Sequence, residues 1–72
     1  MGEKYPLLTP KEILAALAKR GFEFKAQRGS HVKYSDGQRV VIIPMHREVA
    51  RGTLKSILTQ AGIELSDFLD LL

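Results

Sequence analysis

His31 closes the tripeptide Gly29-Ser30-His31, which lies between two stretches of strand character, one from Phe22 to Ala26 and one ending at Asp36-Gly37. An imidazole ordinarily changes charge near neutral pH and is the side chain best suited to moving protons there. The chain has one other histidine, His46, no cysteine, and no pair of carboxylates at a suggestive spacing. Any catalysis must therefore be built from very few groups, and His31 is the leading candidate. His46 follows Pro44 in a basic loop and has three open readings: partner acid, substrate contact, or anchor for the loop. The two histidines stand fifteen positions apart. Without thiolates they make a poor zinc site, which needs three or four protein ligands. Neither a metal nor another cofactor is expected.

Charge points to the kind of ligand. Residues 25 to 51 hold six basic groups (Lys25, Arg28, Lys33, Arg39, Arg47, Arg51) against Asp36 and Glu48, a net +4, whereas the last 21 residues carry −2. Positive charge gathered around both histidines suits a surface that meets phosphates, although a solvated basic face has the same composition. Seventy-two residues suggest one domain, 1 to 72, too small for a deep pocket. No stretch approaches the roughly 20 apolar residues of a membrane span, and nothing near Met1 reads as a signal peptide. Met1-Gly2 does not start a myristoylation signal, because Pro6 stands where Ser or Thr is wanted. With no disulfide framework, these features suit a soluble protein of the cytoplasm.

The elements that must position these groups can be read in order. Thr9-Pro10-Lys11-Glu12 is a helix start with a capping box, Leu8 and Ile13 stand where a hydrophobic staple forms, and Gly21 supplies a left-handed stop, giving a helix over about 10 to 20. From Phe22 the period changes to two, with Phe22, Phe24 and Ala26 alternating against Glu23, Lys25 and Gln27. Gly29 turns the chain into a second strand, Ser30 to Ser35. A two-residue turn at Asp36-Gly37 then pairs Ser35 with Gln38, Lys33 with Val40 and His31 with Ile42 in a third strand, Gln38 to Ile43. In that register Val32, Tyr34, Val41 and Ile43 face the helices, while His31, Lys33, Val40 and Ile42 lie on the open face. Tyr34, on the core face, reads as a packing residue rather than a platform for a base. Leu54, Ile57, Leu58 and Ala61 mark a second helix ended by Gly62, with Ile63 placed to touch Leu58. Ser66 is the expected cap of a last helical turn whose apolar edge is Phe68, Leu71 and Leu72. The fold class is α+β: α-β-β-β-α, a three-stranded antiparallel sheet with two helices on one face.

This order, together with Gly21-Phe22, Gly29-Ser30-His31, Pro44-x-His46, Gly52-Thr53-Leu54, Ile57-Leu58 and Ala61-Gly62-Ile63, resembles the HicA family of bacterial toxins over nearly the whole chain. The resemblance implies a fold similar to a double-stranded-RNA-binding domain, an mRNA-cleaving activity (mRNA interferase) that blocks translation, and neutralisation by a HicB-type antitoxin. It also implies that His31, as the histidine of Gly-Ser-His, is catalytic.

The residues fit that implication. RNA cleavage without a metal can use the 2′-hydroxyl beside the scissile phosphate as an internal nucleophile, so the protein needs only to move protons and stabilise charge. Lys33 on the same strand face and Arg28 in the adjacent turn are placed to hold the phosphate, with Lys25, Arg47 and Arg51 as further RNA contacts. Gly29 admits a close backbone approach, and Ser30 offers a hydroxyl. Two other classes explain the same features: a non-catalytic RNA-binding module, and an inactive subunit that only engages a partner. Strand three adds a clue about a partner. Val40, Val41, Ile42 and Ile43 are apolar on both faces, yet a sheet covered on one side needs only alternate positions buried. Val40 and Ile42 are then the surplus pair and the expected interface for the antitoxin.

Overall fold

Thr9 starts the first helix, α1 (Pro10–Ala18), in the computed structural model, which describes residues 4–72. Its hydroxyl accepts from the Glu12 amide at 3.3 Å and the Glu12 carboxylate accepts from the Thr9 amide at 2.9 Å, so both halves of the expected capping box are present. Ile13, Ala16 and Leu17 are its buried face. Gly21, at φ 86°, then turns the chain so that Phe22 enters the core. Met1-Gly2, weighed for myristoylation, lies outside the described residues.

Three antiparallel strands follow in spatial order, β1 (Glu23–Arg28), β2 (His31–Ser35) and β3 (Val40–Pro44). Helices α2 (Arg51–Ala61) and α3 (Leu65–Leu69) complete an α+β arrangement with an open three-stranded sheet. One face of the sheet is covered. Val41 and Ile43 share a single buried cluster with Ile13 and Leu17 of α1 and with Leu54, Ile57 and Leu58 of α2. Burial of these apolar side chains, at roughly 25 cal/mol per Å², is what holds the helices against the sheet. An isolated bridge ties the entry segment to the loop after β3, with the Val49 amide donating to the Leu8 carbonyl at 2.8 Å.

The structure corrects the register of the second hairpin. Ser35 pairs with Val40, Lys33 with Ile42 and His31 with Pro44, so the loop has four residues, 36–39, and the ladder is shifted by two. The reason is local. Asp36 accepts through Oδ1 from the amides of both Gln38 (2.9 Å) and Arg39 (2.8 Å), and that side-chain turn holds Gln38 and Arg39 out of the strand. The Arg39 amide first, and the Gln38 amide second, hold the Asp36 carboxyl below its ordinary value. A shift of two preserves side-chain parity, so Val32, Val41 and Ile43 are buried and His31, Lys33, Val40 and Ile42 are exposed, as the alternation predicts. The two-residue turn lies at Gly29-Ser30 instead, where Gly29 at φ 58° occupies the first central position.

Strand β1 departs further from its pattern. All six of its residues are exposed, and the ladder slips between Phe24 and Ala26, leaving Lys25 as a bulge. Phe24 is 56 % exposed, its ring standing edge-on to Tyr34 at 6.3 Å between centroids. The bulge swings Ala26 opposite Lys33, onto the open face. Of the apolar alternation read from Phe22, Phe24 and Ala26, only Phe22 is core.

Gly62, at φ 70°, ends α2 as expected, the Ile63 amide donates back to the Leu58 carbonyl at 3.1 Å, and the side chains of Ile63 and Leu58 share the buried cluster. Ser66 is not a cap, since α3 begins after Glu64 and has no side-chain cap; nor does Leu72 join an apolar edge, being half exposed. Gly62→Ala is expected to cost about 1–2 kcal/mol, because a Cβ is strained in the left-handed region. The new Cβ would also stand 2.6 Å from Arg39 Cζ, displacing that side chain. A urea melt of the variant checks this, and an unchanged midpoint would contradict it.

Candidate active site

Residues Arg28 and His31 flank the Gly29-Ser30 turn and pair across it, so both side chains issue from the open face of the sheet at one end. Next along that face come Ala26 opposite Lys33, and Lys33 opposite Ile42. Ala26, Gln27, Arg28, His31, Lys33 and Ile42 line an open concavity of about 450 Å³. An imidazole, a guanidinium and an ammonium thus share one shallow site, a donor set matched to a phosphate with a proton-transfer group beside it. Sequence reasoning identified His31, Arg28 and Lys33 but missed Ala26, which the Lys25 bulge brings onto the open face, and Gln27, next to Arg28 in the strand. The Gln27 side-chain Nε2 donates to the Gly29 carbonyl at 3.0 Å, bracing the turn that carries His31.

The turn also places the second histidine. Pro44 is the cross-strand partner of His31, and past the end of the strand the Met45 amide donates to the Ser30 carbonyl at 2.6 Å. That bond continues the pairing by one step and delivers His46 to the position diagonal to His31. The two rings lie edge-on, centroids 6.4 Å apart and planes at 70°. Both histidines are exposed.

The remaining sequence candidates disperse. Lys25 Nζ approaches the Glu23 carboxylate at 3.7 Å, an exposed pair worth little. Arg51 Nε donates to the Tyr5 carbonyl at 2.7 Å, so this side chain fastens the entry segment to the start of α2. Arg47 is exposed in the loop beside His46. Val40 and Ile42 are 50 % and 37 % exposed on the face that carries His31 and Lys33. Tyr34 is half-buried and packed against the core. Among the described residues, no three His, Cys, Asp or Glu side chains are grouped to hold a metal ion, and no helix is long and apolar enough to cross a membrane.

Comparison with curated proteins finds no significant match. A family model does match: that of the HicA toxin of bacterial toxin-antitoxin, over residues 10–63. The matched span runs from the first residue of α1 to the residue after Gly62 and so includes the whole sheet, both histidines and the Gly29-Ser30 turn. The chain belongs to the HicA toxin family of bacterial toxin-antitoxin systems.

Proposed function

We propose that this toxin is a metal-independent endoribonuclease, an mRNA interferase that cleaves mRNA in the cytoplasm, blocks translation under stress and is neutralised by a HicB-type antitoxin, with residues 1 to 72 acting as one domain. The observation that carries the reading is His31, exposed beside Arg28 and Lys33 in the concavity of a HicA-family chain. His31 exchanges protons with the reacting 2′-hydroxyl. Arg28 and Lys33 hold the phosphate, Gly29 and Ser30 shape the turn at its edge, and Lys25, Arg47 and Arg51 add charge along the RNA path. Incubating the protein with a long single-stranded RNA in EDTA tests this. Fragments that require His31 support it; intact RNA bound by folded protein favours the alternative, a non-catalytic RNA-binding module.

Binding should carry the mark of phosphate contacts. If three or four are made, log affinity falls with log salt at a slope of about −2 to −3. Lys33→Glu and Arg28→Glu should weaken binding across RNA sequences, whereas Lys4→Glu, outside the basic segment, should have little effect. Equal losses from all three, or salt-independent binding, would contradict a basic RNA-facing sheet.

The antitoxin, on this reading, covers Val40 and Ile42 and blocks RNA from His31 by occupying the open face. Basic residues around the strip favour an acidic partner and speed its association. Val40→Asp and Ile42→Asp should weaken antitoxin binding while the melting temperature of the free toxin stays within a few degrees. Unfolding of the free variants, or unchanged affinity, would exclude this surface.

A further inference from the structure

Cleavage through an internal 2′-hydroxyl needs two proton transfers, one from the attacking oxygen and one to the leaving oxygen. The concavity supplies a single imidazole, His31, whose other neighbours Arg28 and Lys33 are cations suited to holding a phosphate rather than passing protons at neutral pH. Carboxylates are not among its lining residues. His46 is not among the lining residues, but its ring centroid lies 6.4 Å from that of His31. An in-line phosphorus with its entering and leaving oxygens, plus a hydrogen bond of about 2.6–3.2 Å at each end, needs two ring nitrogens several ångströms apart. Ring centroids at 6.4 Å meet that need and are too far apart for the rings to block each other.

We infer that His46 is the second catalytic group, the general acid that works opposite His31. The inference rests on the ribonuclease reading and names the residue that completes its chemistry. Neutral His31 takes the 2′-hydroxyl proton as the O2′–P bond forms. The P–O5′ bond breaks, and protonated His46 gives its proton to the departing O5′. The products are a 2′,3′-cyclic phosphate and a 5′-hydroxyl, with no change of oxidation state. The division of roles is assigned from position: His31 lines the concavity with the phosphate-holding cations, and His46 lies outside that lining. His46 is on the loop that the Met45–Ser30 bond pins to the turn, so its distance from His31 is set by backbone pairing and not by a free loop.

A leaving group that needs no proton tests the assignment. Two RNAs of one sequence are compared at a site that the wild-type toxin cuts, one with the ordinary 5′-oxygen and one with sulfur at that bridging position. His46→Ala should lower cleavage of the ordinary RNA by about 10²–10⁴-fold. Most of that loss should disappear with the sulfur leaving group, whereas His31→Ala should remain slow on both. His46→Asn, which keeps a polar side chain but transfers no proton, should behave like His46→Ala. Equal losses on both RNAs would make His46 a substrate contact or a positioning residue and overturn the inference, as would wild-type rates in the variant or rescue in His31→Ala alone. Wild-type toxin that leaves both RNAs intact would instead overturn the ribonuclease reading itself.

Discussion

His31→Ala is expected to lower RNA cleavage by about 10²–10⁴-fold, the contribution of a positioned proton-transfer group. Growth arrest on expression should disappear with it. The loss should be chemical rather than structural: His31 is exposed on the open face, and nothing in the buried cluster that joins the sheet to the helices depends on it. Surface substitutions of this kind usually change stability by no more than about 0.5 kcal/mol. Binding should also survive, because Arg28 and Lys33 still line the concavity. The decisive measurements are a single-turnover cleavage rate and a thermal melt on the same preparation. A folded His31→Ala variant that cleaves and poisons cells like the wild type would refute the assignment.

Phe68→Ala should be the most damaging single change to the fold. The side chain is fully buried and ranks among the largest that are, yet it comes from a five-residue helix that begins without a side-chain cap. So short a helix is not stable by itself, and packing of Phe68 and Leu65 into the cluster under α2 is what holds it in place. Truncating a buried phenylalanine costs about 3–5 kcal/mol. A single core of this size rarely supplies more than about 3–5 kcal/mol in total, so the variant should be largely unfolded at 37 °C. Phe68→Leu, which keeps most of the volume, should be much milder. Urea unfolding of the three proteins checks the order. If Phe68→Ala unfolded within about 0.5 kcal/mol of the wild type, the change expected of a surface substitution, α3 would not be part of the core. Phe68 lies beyond the residues matched to the family, so the stability of this toxin depends on a segment outside the part that marks it as one.

What could be read in the chain itself were the features set by groups a few residues apart. The Thr9–Glu12 capping box, the left-handed stop at Gly62 and the Leu58–Ile63 closure each involve partners within five positions, and each forms as the residue types require. The alternation of β2 and β3 belongs to the same class. It placed His31 and Lys33 on the open face even though the ladder is offset by two from the expected register, because side-chain direction depends only on parity. A slip of one residue would have sent His31 into the core.

Tertiary structure decided whatever depends on how separate segments meet. Asp36-Gly37 reads as a two-residue turn, but the bonds of the Asp36 carboxylate to the Gln38 and Arg39 amides fixed a four-residue one. Phe24 carries the expected apolar parity but lies on an edge strand that the helices do not cover, so its burial could not be read from alternation. Arg51 belongs to the basic segment by sequence, yet its guanidinium is held by the Tyr5 carbonyl, a partner 46 positions away. Most consequential is His46, one of two histidines fifteen residues apart whose spacing alone left three roles open. The Met45 amide meeting the Ser30 carbonyl brings its ring beside His31, because cross-strand pairing sets distances that no count along the chain contains.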